Sequence, residues 1–175
     1  MLASQNIAIA ILLIPMALLI SYWDVRHRRI PNQLVLITFV GGLIVNTIIG
    51  GFHGLAISLA GFGLAFVLMF FLHAFGTMGA GDVKLFAAIG AINGVSLVLP
   101  TLVVVAITGF VFAICKMIYS RRTVTTLVGV SQFFYGLLPG QKVPRFEVPA
   151  DRSITLPYAL PICFGSLITF FLFRV

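Results

Sequence analysis

The stretch "IAIAILLIPMALLISYW", residues 7–23, is almost entirely apolar and is long enough to cross a lipid bilayer as a helix. No basic region precedes it and no small-residue cleavage site follows it, so we interpret it as a membrane span and not as a removed signal peptide. The rest of the chain has the same character, because 61% of its 175 residues are hydrophobic and 9% are charged. This composition excludes an ordinary soluble domain and predicts an integral membrane protein in contact with the lipid bilayer.

Apolar runs of this kind recur along the sequence. They are continuous rather than alternating with polar residues, which favours helices over a β-barrel. We predict an all-α, polytopic fold that forms a single membrane domain over residues 1–175. The turn "GGFHG", residues 50–54, is short enough to predict a tight hairpin between the second and third helices. The six predicted spans are residues 5–23, 33–50, 54–73, 83–98, 100–119 and 156–173.

The longest predicted connection, residues 120–155, has two parts. The first part has apolar residues at helical spacing, and it predicts a short helix that lies in the membrane interface and ends at Pro139. The second part, "QKVPRFEVPADRS", predicts a polar loop in which Glu147 and Asp151 are solvated. The apolar positions of the predicted interfacial helix are Leu127, Val130, Phe134 and Leu138.

The positive charges predict the orientation of the chain. There are 11 Lys and Arg residues against 4 Asp and Glu residues, a net charge of +7. If the loop after the first span is cytoplasmic, all Lys and Arg residues except Arg174 lie on the cytoplasmic side of the membrane. Such an excess of positive charge inside is what the positive-inside rule requires. We therefore expect a protein of the inner membrane with both termini outside, and the net charge needs no nucleic-acid partner. The predicted cytoplasmic set is Arg26, Arg28, Arg29, Lys84, Lys116, Arg121, Arg122, Lys142, Arg145 and Arg152.

Two of the four acidic residues are predicted to lie at the same membrane edge. Asp24 closes the first span and Asp82 opens the fourth, and the predicted topology places both at the cytoplasmic face. An ionisable group at that depth is costly unless it is paired, hydrated or used in chemistry. A pair of carboxyls can hydrolyse a peptide bond if one keeps its proton and polarises the carbonyl while the other activates water. This chemistry needs no metal or cofactor, and the sequence leaves open which aspartate is the acid.

Each candidate also has an ordinary structural interpretation. Gly79 and Gly81 would allow a close approach to a substrate strand, but they could equally form a loop that leads into a helix whose N-cap is Asp82. Asp24 could be a polar stop paired with a nearby arginine. Lys84 could hold substrate or favour the ionised form of the aspartates, or it could mark the cytoplasmic end of the fourth span.

Histidines and cysteines do not form a recognisable ligand pattern. His27, His53 and His73 are separated across different loops and helix ends, so we expect interfacial or packing roles for them. Cys115 and Cys163 each lie inside an apolar run, which predicts neither a disulfide framework nor a zinc site. The sequence therefore predicts no metal ligands.

The segments around the two aspartates resemble the two motifs of type IV prepilin peptidases, which are membrane aspartic endopeptidases of the GxGD class. The segments are "DVRHRRIPNQL", residues 24–34, and "GAGDVKLFAAIGAINGV", residues 79–95. A third segment, "LPYALPI", residues 156–162, resembles the proline-containing beginning of the last helix in that family. The matching positions are Asp24, Arg29, Ile30, Pro31 and Asn32, then Gly79, Gly81, Asp82, Lys84, Leu85 and Gly90, then Pro157 and Tyr158.

The resemblance implies a protease whose catalytic residues are Asp24 and Asp82 and whose active site faces the cytoplasm. Its expected substrates are prepilins and prepilin-like proteins, namely Flp-type pilins, pseudopilins or preflagellins, cut after a glycine between the basic leader and the hydrophobic helix. Larger members carry an N-terminal region with a cysteine-rich zinc motif and also methylate the new N-terminus. This chain begins at its first span and lacks those cysteines, so it is similar to the short form, and we expect no methyltransferase activity.

Two other classes of membrane protein compete with a protease. A small proton- or cation-coupled carrier could use the two aspartates, but it predicts acids near the bilayer midplane and two related halves of the chain. Here both acids are predicted at one face, and the halves show no evident repeat. A metal-binding scaffold would require more oxygen or nitrogen ligands than two aspartates supply.

Overall fold

The computed structural model describes residues 2–75, 78–119 and 158–174. Within these residues the structure is all-α and contains no strand, so the all-α part of the predicted fold is confirmed for the part of the chain described. The predicted interfacial helix and polar loop in residues 120–155 lie outside the described residues. The five helices are α1 (Leu2–His27), α2 (Asn32–Ala74), α3 (Ala80–Asn93), α4 (Val95–Tyr119) and α5 (Ala159–Phe173).

Three of these helices have segments long and apolar enough to cross a membrane: Asn6–His27, Asn32–Ala74 and Val95–Lys116. Helix α5 is also apolar but shorter. By length and composition the described helices are therefore those of a membrane protein, as the sequence predicts.

The chain divides into two compact units. One comprises Met1–Gly109 together with Pro157–Val175, and the other comprises Phe110–Leu156. The first unit contains α1, α2, α3, α5 and the beginning of α4. In the second unit the described part is the end of α4, up to Tyr119. A single domain over residues 1–175 stays a prediction, and every side chain of the site described below belongs to the first unit.

Helix α2 is a hairpin of two helical limbs rather than one straight rod. Gly51 breaks the helix with φ +58° and ψ −141°. On either side of this break the rings of Phe39 and Phe62 lie 4.5 Å apart between centroids, whereas a straight helix would separate these positions by about 34 Å. The left-handed φ explains why glycine occupies the turn, since other residues rarely adopt it. The predicted hairpin is therefore present.

Helix α3 is the most buried element of the first unit. A Cβ added to Gly61 of α2 would lie 2.3 Å from the carbonyl oxygen of Gly90 in α3, so the two backbones approach closely. Both limbs of α2 also bind the end of α3, because Asn46 Nδ2 (2.8 Å) and Ser58 Oγ (2.6 Å) donate to the carbonyl of Ala91. These contacts fix α3 between the limbs of the hairpin. Its fully buried side chains include Leu85, Phe86, Ala87, Ala88 and Ile92.

The prediction of one span over residues 83–98 is wrong in its boundaries. Helix α3 ends at Asn93, and α4 begins at Val95. Between them Gly94 has φ +77°, and its N–H closes the last turn on the carbonyl of Gly90 at 2.9 Å. The residues near the break on either side are largely apolar apart from Asn93 and Ser96, so hydropathy alone does not reveal the break.

Helices α1 and α5 run antiparallel. Near one end of the pair, Asn6 Nδ2 donates to the carbonyl of Arg174. At the other end, the Asp24 carboxylate accepts from the backbone N–H of Ala159 at 3.2 Å. The last helix therefore begins beside the end of the first helix, where the first predicted catalytic residue lies.

Candidate active site

Asp24 lies near the end of α1 and is 6% exposed. Its Oδ2 atom accepts a hydrogen bond from the N–H of Ala159, the first residue of α5. A helix N-terminus presents unpaired N–H groups and the positive end of the helix dipole, so it favours an anion. Arg28 also acts electrostatically on Asp24. The carboxyl is therefore both buried and hydrogen-bonded to a distant helix, which is more than a polar helix stop requires.

The chain leaves α1 through a short turn that carries the first motif. Arg28 has φ +50°, a left-handed value that ends the helix, and its N–H still donates to the carbonyl of Asp24 at 2.7 Å. Pro31 then takes an extended conformation as the N-cap of α2, and its carbonyl accepts from the N–H of Leu34 at 3.1 Å. The turn that carries the first motif therefore ends at Pro31, where the second helix begins.

Asp82 lies in the first turn of α3. The N-cap of this helix is Gly79, so the alternative that Asp82 is itself the N-cap is wrong. Asp82 reaches back instead, and its Oδ2 atom accepts from the N–H of Gly79 at 3.2 Å. An acidic residue in the first helical turn is also stabilised by the helix dipole.

Asp82 lies outside the three helical segments that are long and apolar enough to cross a membrane, and its pKa is perturbed. The pKa of Asp82 is raised from its ordinary 3.8 to about 6. Burial is the largest cause, the negative charge of Asp24 adds to the rise, and the hydrogen bond from the Gly79 N–H opposes it. The charge of Asp24 therefore acts on Asp82, although the two carboxyls lie on different helices.

The two motifs contact each other directly. A Cβ on Gly81 would lie 3.7 Å from the Ile30 side chain, so Ile30 lies beside the GxGD turn. Lys84 Nζ donates to Asn32 Oδ1 at 3.4 Å, and both side chains are exposed. The sequence thus singled out residues that meet across the α1–α2 turn and the start of α3.

The third motif, residues 156–162, contacts Asp24 through a backbone group. Tyr158 is the N-cap of α5, and its carbonyl accepts from the N–H of Ile162 at 3.3 Å. The Tyr158 side chain is 39% exposed. This segment contacts Asp24 through the backbone N–H of Ala159, the residue that follows Tyr158. Pro157 lies outside the described residues.

The remaining predicted positions have different surroundings. Arg29 is exposed in the turn after α1. Cys163 is buried, and its thiol is hydrogen-bonded with Ser21, one turn before Asp24, which agrees with a packing role. Cys115 is exposed. Among the described residues, no group of three or more His, Cys, Asp or Glu side chains could hold a metal ion.

One residue of the site could not be identified as such from the sequence. His73, near the end of α2, forms a 2.6 Å hydrogen bond from Nδ1 to the carbonyl oxygen of Met78. The sequence predicts an interfacial or packing role for His73, because the spacing of the histidines is not that of metal ligands. The only sequence clue is its position a few residues before the GxGD turn.

The fold and the site define an all-α membrane protein in which two aspartates, one from α1 and one from α3, influence each other at neighbouring helix ends. The family model described as the type IV leader peptidase family matches residues 11–114, which is more than half of the chain, and the chain belongs to that family. Membership makes it a peptidase, a hydrolase that acts on a protein substrate. The match contains both aspartates. No curated protein and no solved structure matches the chain.

Proposed function

We propose that this protein is a membrane-embedded aspartic endopeptidase that removes the basic leader of prepilins or prepilin-like proteins. The observation that carries the proposal is that the two motifs meet: Lys84 Nζ donates to Asn32 Oδ1 at 3.4 Å, and the charge of Asp24 raises the pKa of Asp82 on a separate helix. The proposed substrates are Flp-type pilins, pseudopilins or preflagellins, cut after a glycine. This specificity rests on the motif resemblance and on family membership.

The two carboxyls divide the chemistry of hydrolysis between them. One carboxyl is protonated and donates a hydrogen bond to the scissile carbonyl oxygen, while the other is ionised and takes a proton from the attacking water. A tetrahedral intermediate forms and then collapses as the C–N bond breaks, and the departing amine receives a proton from the pair. The raised pKa of Asp82 supports this scheme, because the charge of Asp24 favours the protonated form of Asp82 and so the state in which the pair holds one proton.

The proposed topology has six helical segments that traverse or enter the membrane, with the site facing the cytoplasm and both termini outside. The segments are α1, the two limbs of α2, α3, α4 and α5. The exposed cations Arg26, Arg28, Arg29 and Lys84 lie near the two aspartates, which supports a cytoplasmic site by the positive-inside rule. The hydrophobic helix of the substrate would pack among these helices while its leader remains in the cytoplasm.

The experiment is leader cleavage of a co-expressed prepilin in membranes. Wild type is compared with Asp24→Asn and Asp82→Asn at equal protein levels. Asparagine keeps the shape of each side chain but neither carries the charge nor transfers the proton, so both variants should lose cleavage. Asp151→Asn is the matched control, because the sequence assigns that aspartate to a polar loop. Retained cleavage in either site variant would remove that aspartate from the mechanism.

The same assay separates the competing classes. Cleavage that persists in a chelator argues against a metal-binding scaffold, since the carboxyl pair needs no metal. If membranes containing wild type never cleave a prepilin, a proton or cation flux that depends on Asp24 and Asp82 would favour the carrier instead.

A further inference from the structure

We propose that His73 is a positioning residue for Asp82 and acts through the peptide group that joins Met78 to Gly79. This inference rests on the proposed function, because it assigns His73 a part in the same site. His73 Nδ1 lies 2.6 Å from the Met78 carbonyl oxygen. A carbonyl oxygen can only accept, so Nδ1 carries the hydrogen and donates it.

The same peptide group binds the proposed catalytic carboxylate on its other side. The N–H of Gly79 donates to Asp82 Oδ2 at 3.2 Å. A peptide group is planar and rigid, so fixing its carbonyl oxygen also fixes the direction of its N–H. The path from His73 to Asp82 therefore consists of two hydrogen bonds and one rigid unit. A donor on the carbonyl also polarises the group and strengthens the bond that its N–H makes.

The helical framework makes His73 a suitable anchor for this peptide. His73 lies in the last turn of α2, and its own carbonyl accepts from the N–H of Phe75, which closes that helix. The His73 ring is partly buried and lies 6.4 Å from the Phe70 ring, centroid to centroid. The limb of α2 that carries His73 is packed against α3 through Gly61 and Gly90. His73 thus links the end of one helix to the first turn of the next.

Two substitutions separate the hydrogen bond from the packing of the ring. His73→Asn keeps an N–H donor at the position of Nδ1 but loses the ring, whereas His73→Phe keeps a ring beside Phe70 but loses the donor. In the prepilin assay we expect His73→Asn to retain kcat/KM within about threefold of wild type. We expect His73→Phe to lose about tenfold or more, mainly in kcat, because misplacing a catalytic group slows the chemical step. His53→Phe, an exposed histidine near the other end of the hairpin, is the control and should cleave like wild type.

The pH dependence of kcat/KM distinguishes the hydrogen bond from packing, because a loss of packing alone would not shift this dependence along the pH axis. The Gly79 N–H favours the ionised form of Asp82, so losing this bond raises the pKa of Asp82 above about 6. In the proposed mechanism activity falls when the pair loses its last proton. The alkaline limb of kcat/KM should therefore move to higher pH in His73→Phe and stay in place in His73→Asn. Full activity in His73→Phe, or equal losses in both variants, would overturn the proposal.

A spectroscopic measurement tests the same contact without relying on cleavage. A spin label is attached at Ala80→Cys, an exposed position beside Gly79, in a Cys115→Ser background where Cys163 is buried. We expect a more mobile label in His73→Phe and wild-type mobility in His73→Asn. If no prepilin is cleaved by wild type, the proposed function fails while this measurement still decides the His73 contact. Equal label mobility in His73→Phe and His73→Asn would overturn the proposal that His73 positions Asp82.

Discussion

Asp24 Oδ2 accepts a hydrogen bond from the backbone N–H of Ala159 at 3.2 Å, across 135 positions of the sequence. This contact joins the end of the first helix to the beginning of the last. It places a buried carboxylate at a helix N-terminus, where both the unpaired N–H groups and the helix dipole favour an anion. It also gives Asp24 a structural role that is separate from any catalytic one.

The two roles of Asp24 predict different effects for two substitutions. Asn retains an oxygen that can accept from Ala159, so Asp24→Asn should melt within a few degrees of wild type while losing cleavage. Asp24→Ala leaves the buried N–H of Ala159 without this acceptor, which costs about 1–3 kcal/mol. Thermal unfolding in detergent measures both variants. Equal melting temperatures for the Asn and Ala variants would show that the contact does not stabilise the fold.

Asp82 is expected to make stability depend on pH. Its pKa is about 6 in the folded protein against an ordinary 3.8, so between these values the folded state binds more protons than the unfolded state. Stability therefore falls as pH rises through this range. Asp82→Asn cannot titrate, so at pH 7 it should melt a few degrees above wild type, and at pH 4 the difference should disappear. Parallel melting curves for wild type and variant at all pH values would contradict this.

Two glycines of α2 offer a matched test of the close approach to α3. A Cβ at Gly61 would lie 2.3 Å from the backbone oxygen of Gly90, whereas a Cβ at Gly63 meets nothing within 4 Å. Gly61→Ala should destabilise the protein by about 1–3 kcal/mol, as overpacking does. Gly63→Ala should be neutral or slightly stabilising, because alanine favours the helix. Thermal unfolding measures both variants. Equal shifts in melting temperature would mean that the backbones of α2 and α3 can move apart without a loss of stability.

Substitutions of Lys84 and Asn32 should have non-additive effects on the cleavage rate and little effect on stability. Their side chains are exposed and 3.4 Å apart, and an exposed contact contributes about 0–1 kcal/mol. If the contact aligns the two motifs, Lys84→Met and Asn32→Ala should each lower cleavage severalfold, and the double variant should lose no more than either one. Cleavage rates at equal protein levels supply this double-mutant cycle. Additive losses would mean that Lys84 acts independently of Asn32, for example by binding substrate.

The sequence by itself determined the class of protein and the residues of the proposed pair. Long apolar runs require helices that satisfy their own backbone hydrogen bonds, so the all-α membrane fold follows from composition and run length. Asp24 and Asp82 stand out because acids are rare in this chain and costly at a membrane edge. The hairpin at Gly51 was also predictable, since a glycine-rich turn this short between two apolar runs allows only a tight reversal of the chain.

Only the tertiary structure decided which groups surround the two aspartates. The break at Gly94 depends on a left-handed conformation between two apolar segments, and hydropathy carries no information about φ. The partners Ala159 and Gly79 contribute backbone N–H groups, which every residue except proline possesses, so no residue type marks them. His73 is recognisable only from its hydrogen bond to the Met78 carbonyl. Contacts of this kind arise from the packing of helices distant in sequence, whereas a local pattern reports only what lies within a few residues.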